Sequence, residues 1–506
     1  MLAPSAGESY TSSLLREPKP SIQQIIREIL CNALPNILGY VMTLINELTN
    51  TVVLGHGGNE AALAAVGLAN MMQNCVGLSV GFGIAGALDT LVSQAHGAQQ
   101  HELSGHHLQR CRILMTLQLI WMVPLLWYSG EALALIHENK EVAAKAGEYN
   151  RASVFGLFAV FQFEATRKFL QNREEPAPAA LICGACSVLH IGWCSFFVLY
   201  MKWGNAGAGY ANAVTWWTQF LVSSLYLASI ARRSGFRKRS ILWIEMHGLR
   251  EWGAYMALAI PATVQLCAEW WFWEICALVV GYLGKVPLAA HSATLNWVAL
   301  SFMPTIGINA STAALVGNAL GENLPRKAKA TAWTCVCVNL ISWTLVAACT
   351  TLARVPISEM YSKDGEIQEL MQRLLLIFAV VGFCDTSQNI MGSALRGIGR
   401  QGLAALTYIV AFYGVMLPGG IVAAFPLQMR IYGIWGSFGV GTGLAALVFV
   451  IILARIDYEG AAAKAARRME HERRELDKHT ASLASRDSSR LAGSSRDVRA
   501  VERSTV

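Results

Sequence analysis

Leu91-Val92-Ser93-Gln94-Ala95-His96-Gly97 is echoed 224 residues later by Leu315-Val316-Gly317-Asn318-Ala319-Leu320-Gly321. Three further pairs keep nearly the same spacing. Leu63-Ala64-Ala65 returns as Leu288-Ala289-Ala290 at an offset of 225, and Pro35 answers Pro261 at 226. Gly204-Asn205-Ala206-Gly207 answers Gly433-Ile434-Trp435-Gly436 at 229. A single match of this length arises by chance; four in order at one spacing describe a duplicated unit.

Composition says what is duplicated. Apolar residues make up 54% of the 506 and charged residues 14%, too little charge for a soluble chain of this size. A membrane helix needs about 20 apolar residues, and the chain divides into twelve such spans: 31–54, 61–92, 108–129, 144–170, 178–201, 206–231, 252–283, 288–316, 328–353, 367–395, 402–425 and 432–456. Six spans per repeat is an even number, so both halves enter the membrane in the same sense. The predicted fold is an all-α membrane protein, with twelve transmembrane helices in two parallel six-helix repeats around a central cavity. The predicted organisation is an N-terminal segment (1–24), a first half (25–231), a basic linker (232–251), a second half (252–456) and a charged, largely disordered tail (457–506), in which residues 460–478, alternating Ala, Glu, Lys and Arg, read as a charged helix.

Arg and Lys set the orientation. Loops after even-numbered spans hold Arg110, Arg112, Arg167, Lys168, Arg173, Arg326, Lys327, Arg396 and Arg400, with Arg237-Lys238-Arg239 in the linker. Loops after odd-numbered spans hold about half as many such residues. Both termini are therefore expected in the cytoplasm, with the host a plasma membrane or an acidic-organelle membrane. The segment from Met1 to Ser21 is polar and lacks the layout of a cleaved signal peptide. The net charge of +7 is this bias plus the basic tail, so no nucleic-acid partner is implied. The linker suits anionic membrane lipid. The final Arg503-Ser504-Thr505-Val506 fits a PDZ-type groove that captures a terminal carboxylate. The twelve cysteines lie almost all inside apolar spans. Cys183 and Cys186 are read as small apolar residues, since no second pair completes a metal site.

Function is read from the charges at depth. Leu266-Cys267-Ala268-Glu269-Trp270-Trp271-Phe272-Trp273-Glu274-Ile275-Cys276 places two carboxyl groups inside the seventh span. An ionised carboxylate at that depth costs at least ~2.5 kcal/mol, so it marks a pathway for protons, ions or cations. Five residues apart, Glu269 and Glu274 point roughly 140° from one another; Glu269 is assigned to the cavity and Glu274 to a helix neighbour. Trp273 lies one turn from Glu269 and Trp270 one turn from Glu274, where an aromatic face suits an organic cation; packing against lipid or protein is the other reading. Asp385 is the third deep acid, with Thr386, Ser387 and Gln388 after it. Pro261, about eight residues before Glu269, is expected to bend the seventh helix as Pro35 bends the first. Asp89, near the end of the second span, is read as bonding a loop or cap. Glu164 and Lys168 are read as an i, i+4 pair. His96, His101, His106 and His107 are read as solvated loop histidines, and no metal is predicted.

These motifs resemble the multidrug and toxic compound extrusion (MATE) transporters. The segment from Gly83 to Ala98 is similar to the family's second-helix pattern, and Glu269 to Glu274 to the seventh-helix motif of eukaryotic members. Val316-Gly317-Asn318-Ala319-Leu320-Gly321 resembles the eighth-helix exit. Leu395-Arg396-Gly397-Ile398-Gly399 resembles the tenth, with Asp385 ten residues before it. The resemblance covers residues 25–456. It implies an antiporter that exports organic cations or other amphiphiles against protons, or against sodium, with Glu269, Asp385 and Glu274 in coupling and binding. The chain departs from the family pattern at two places. Asn50 stands where bacterial members carry a first-helix aspartate, and Leu315 where an arginine precedes the eighth-helix exit. Glu47, one turn before Asn50, is either a substitute proton site or a buried helix partner; the ~5 Å displacement favours the partner. Glu47, Asn50, Trp270, Trp273 and Gln388 are the candidates for lining the cavity.

Other classes fit less well. The glycine runs, such as Gly81, Gly83 and Gly86, lie inside helices with no following Lys-Ser or Lys-Thr, which argues for helix packing and against ATP. No cofactor is implied beyond a proton gradient, or a sodium gradient. A lipid-linked substrate flippase would need deep cations for a phosphate, and here the deep charges are acids. A channel would need a continuous polar stripe. An enzyme would need a nucleophile and base at depth, and His190 and His291 stand alone.

Overall fold

The computed structural model describes residues 20–55, 60–136, 139–233 and 252–478. Arg237-Lys238-Arg239 and the terminal Arg503-Ser504-Thr505-Val506 lie outside them. Twelve helical spans follow one another among the described residues. They are α1 (Ile22–Gly55), α2 (Ala61–Gly97), α3 (His101–Trp127), α4 (Lys140–Val154 with Leu157–Asn172), α5 (Ala177–Tyr200) and α6 (Gly204–Arg233). The second half supplies α7 (Trp252–Gly281), α8 (Lys285–Ser301 with Met303–Gly321), α9 (Pro325–Leu352), α10 (Gly365–Ile398), α11 (Gln401–Ala424) and α12 (Arg430–Arg455). In lipid every backbone donor must be satisfied within its own segment, which is why such a chain is built from helices.

By length and apolarity nine of these spans qualify as membrane-crossing, or ten if the two pieces of α8 count as one. The two left over are α4, which carries Glu164, Arg167 and Lys168, and α6, which carries Asn212, Thr215 and Gln219; all six side chains face the protein interior or lie half-buried. Helix ends have local causes. The Asp364 carboxylate accepts from the Glu366 N–H at 2.9 Å to start α10. Gly399, at φ +82°, ends it with its N–H on the Arg396 carbonyl. α1 and α7 continue as helices through Pro35 and Pro261. The 45° bend is in α8, at Phe302 just before Pro304.

The two echoed segments, Leu91–Gly97 and Leu315–Gly321, pack on one another. A Cβ added to Gly97 would lie 2.1 Å from the Asn318 carbonyl oxygen, and one on Gly321 2.2 Å from the Gln94 oxygen. A shift of 224 residues carries Gln94 to Asn318 and Gly97 to Gly321, so these are one contact made twice. Ser93 meets its own counterpart, Gly317, whose added Cβ would stand 1.9 Å from the Ser93 hydroxyl oxygen. A residue that touches its own equivalent lies on the axis relating the two copies. A second crosswise pair follows farther along: a Cβ added to Gly83 would lie 2.3 Å from the Thr263 Cα, and one on Gly307 2.9 Å from the Ile37 nitrogen. Small residues permit this approach of backbones.

A further helix, residues 458–478, follows α12 and lies against the end of the bundle that carries Arg110, Arg396 and Arg400, here the basic end. Ala465 and Met469 pack with Ala95 and Leu103 of the first half. The Arg110 guanidinium and the His107 ring reach the Glu472 carboxylate at 3.4 and 3.5 Å. The helix read over residues 460–478 is present. One expectation is corrected: His106 and His107 are buried on α3 rather than solvated in a loop.

Candidate functional site

The acids come first. Asp385 of α10 is 5% exposed, and its Oδ1 accepts from the Gln388 side-chain amide at 2.9 Å. Glu269 of α7 is half-buried, and its Oε1 faces the Asn389 amide at 3.5 Å. Asn389, one turn beyond Asp385, also donates to the Asp385 carbonyl at 3.2 Å. Asn389 thus ties the Glu269 carboxyl to α10 one turn from Asp385, and both acids belong to the second half. Gln265, one turn before Glu269, and the Tyr408 hydroxyl lie 3.3 and 3.7 Å from where a Cβ on Gly392 would be. That missing side chain leaves room for polar groups at this level.

A line of hydrogen bonds descends from the acids to the basic end. Asn309 of α8 donates to the Asn389 carbonyl at 3.2 Å. Arg396, two turns past Asn389, donates Nη2 to Asn309 Oδ1 at 2.6 Å and Nε to Asp89 Oδ2 of α2 at 3.2 Å. The Lys168 ammonium and the Asn172 amide of α4 each reach Asp89 Oδ1 at 3.1 Å. Asp89 is 2% exposed; with two cations and an amide around it, its charge is paired as burial demands. Asp89 therefore does more than cap a helix: it holds α2, α4 and α10 together across the two halves. Lys168 serves Asp89, and Glu164 pairs instead with Arg167 one turn away, a correction to the expected Glu164–Lys168 pair.

The remaining predicted residues scatter. Glu274 is half-buried and faces Cys75 of α2. Trp270 meets Phe82 of α2 edge-on at 6.1 Å, while Trp273 joins Phe438 and Trp435 in the core of the second half. Gln388 is buried on Asp385. Asn50 is 1% exposed and bonded inside the first half, so it does not line an open space. Glu47 is exposed on α1. The inference from sequence missed Asn389, Asn309 and Asn172, and took Arg396 for a topology signal. One cue was present: Asp385, Asn389 and Arg396 sit at i, i+4 and i+11, one face of a helix.

The family model described as MatE matches residues 35–195 and again residues 261–422. The chain belongs to the MatE family. The two matches begin at Pro35 and Pro261 and so keep the spacing of the internal repeat. Among relatives, the chain is 28% identical over 440 residues to "Multidrug and toxin extrusion protein 1" of Danio rerio, covering 87% of this chain and 74% of that protein. It is 28% identical to "Protein DETOXIFICATION 39" of Arabidopsis thaliana, covering 87% and 86%. Among solved structures it superposes on the eukaryotic MATE transporter AtDTX14 with a TM-score of 0.83 at 25% identity, covering 88% of this chain and 99% of that one. A MATE transporter from Vibrio cholerae, at 15% identity and a TM-score of 0.76, shares the fold. This MatE chain is thus a multi-pass membrane transporter of the multidrug and toxin extrusion class, and not an enzyme.

Proposed function

We propose that the protein is a secondary antiporter that exports organic cations or other amphiphilic small molecules in exchange for protons, by alternating access. One observation carries this reading: the Glu269 carboxyl of α7 reaches Asn389 of α10 at 3.5 Å, one turn from the buried Asp385, so two acids from two helices of one half stand near one another. Ionised, the pair attracts a cation; protonated, it loses the charge that holds one, so proton and cargo compete for the same groups. Protonation of Glu269 also weakens its hold on Asn389. The line through Asn309 and Arg396 carries that change to Asp89, at the contact between halves.

The basic end faces the cytoplasm in this reading, with both termini there, and the more acidic compartment lies on the far side. Cargo loads from the cytoplasm onto ionised acids, and protons from the acidic side displace it. The membrane is the plasma membrane or that of an acidic organelle. Proteoliposomes with an imposed pH gradient and a panel of fluorescent organic cations test the proposal. Cation efflux that follows the pH gradient and ignores sodium is the expected result. Efflux driven by a sodium gradient alone overturns proton coupling.

A further inference from the structure

A second buried titratable group lies in the first half, far in sequence from the acids. His190 of α5 is fully buried. Its Nδ1 stands 2.8 Å from the Thr215 hydroxyl oxygen of α6, and its Nε2 3.1 Å from Asn50 Oδ1 of α1. The Thr215 hydroxyl donates its proton to the Ala211 carbonyl at 2.8 Å, so it offers the ring a lone pair. Asn50 gives its own amide protons onward, to Asn212 Oδ1 at 2.9 Å. Asn212 in turn donates to the Tyr149 hydroxyl of α4 at 2.7 Å. The carbonyls of Asn46 and Ala211 also lie against the ring.

Both ring nitrogens therefore face oxygen. A neutral imidazole has one N–H and one lone pair, whereas the imidazolium has two donors and fits this arrangement. A neutral ring is accommodated only by a rearrangement. Either the Thr215 hydroxyl turns from Ala211 to Nδ1, or Asn50 and Asn212 both reverse, so that Asn50 donates to Nε2 and the Tyr149 hydroxyl donates into Asn212. Each form satisfies its groups, and the two differ by one proton. The titratable groups facing the site are Tyr149 from α4, Cys194 from α5 with its thiol 3.4 Å from Asn50 Oδ1, and the exposed Glu47 from α1. From α6 come the neutral Asn212 and Thr215.

We propose that His190 is a proton-binding site of the first half, which takes up and releases a proton during transport, the neutral ring being met by a turn of the Thr215 hydroxyl or by reversal of the hydrogen-bond line that runs through Asn50 and Asn212 to Tyr149. This rests on the proton-coupled exchange proposed above but not on the roles of Glu269 and Asp385: it adds a proton site in the other half. The proton leaves Nε2 or Nδ1 and returns there, with no other bond made or broken.

The test has two arms. In proteoliposomes, the ratio of protons to cargo is measured from the gradient at which flux reverses, for the unaltered protein and for His190→Gln. The expected result is one proton fewer per cargo molecule in His190→Gln, with the step in its flux between pH 5 and 8 lost. An unchanged ratio and pH profile overturn the proposal. The second arm covers a variant that fails to fold. Ring-15N-histidine spectra of the unaltered protein, and of the protein with Glu269→Gln, report the His190 ring directly. A ring that changes protonation with pH in both proteins supports the site even if Glu269 has no coupling role; a ring that stays neutral from pH 5 to 8 sinks it.

Discussion

Arg396 and Asp89 lie 307 residues apart in the chain and meet at 3.2 Å, Nε to Oδ2, inside the basic end of the bundle. The Arg396 fork has its other arm on Asn309, within its own half. Asp89 is held from its own half by Lys168 and Asn172. The pair thus joins two internally braced groups, each of which would be left as a buried charge if the halves parted there without water to replace the partner.

Asp89→Asn removes the shared anion and leaves Lys168 and Arg396 without a counter-charge. Breaking a buried pair from one side costs ~3–5 kcal/mol, so the thermal midpoint of the purified protein should fall clearly. Arg396→Gln in the same chain should recover part of the loss. A thermal midpoint unchanged by Asp89→Asn would show that the contact contributes nothing to the closed arrangement.

Gly97→Ala and Gly321→Ala should be damaging, and to a similar degree, because they place a methyl against backbone at equivalent points of the two halves. Overpacking of this kind costs ~1–3 kcal/mol or more when backbone must move. Gly67→Ala, with open space around it, is the control and should change little. Thermal unfolding of the three variants side by side decides the matter; equal tolerance of all three contradicts the close approach.

Asn389→Ala should slow pH-driven exchange without unfolding the protein. A hydrogen bond to a charged group contributes ~1.5–3 kcal/mol, which corresponds to a loss of about tenfold or more in rate. Glu269→Gln and Asp385→Asn, measured in the same vesicles, should abolish exchange while the protein remains folded, and Glu274→Gln should do less. If Asn389→Ala transports at the rate of the unaltered protein, the amide does not couple Glu269 to α10.

Glu472→Gln tests the tail helix. Arg110 is 1% exposed and has Glu472 for a counter-charge, so the change should lower thermal stability by ~3–5 kcal/mol. Removal of residues 457–506 should do at least as much, since it also uncovers Ala95 and Leu103. A truncated protein as stable as the full chain would mean that the helix merely rests on the surface.

The echo of Leu91–Gly97 in Leu315–Gly321, the long apolar runs and the deep Glu269 and Asp385 were all legible in the residues themselves. Apolar period and length dictate where a chain crosses a membrane, and a carboxyl at depth stands out against its neighbours. Those properties are local, so the number of spans, their parallel pairing in two halves and the acids could be read in one dimension. What each polar side chain meets is not local. That Lys168 turns from Glu164 to Asp89, that Asn389 reaches Glu269, and that His106 and His107 are covered by a tail helix depend on helices distant in the chain coming to rest side by side. Even the glycines changed meaning. In the sequence Gly97 and Gly321 are matching letters of a repeat; in the fold they are the places where the copies touch, because a hydrogen in place of a methyl lets one backbone reach the other.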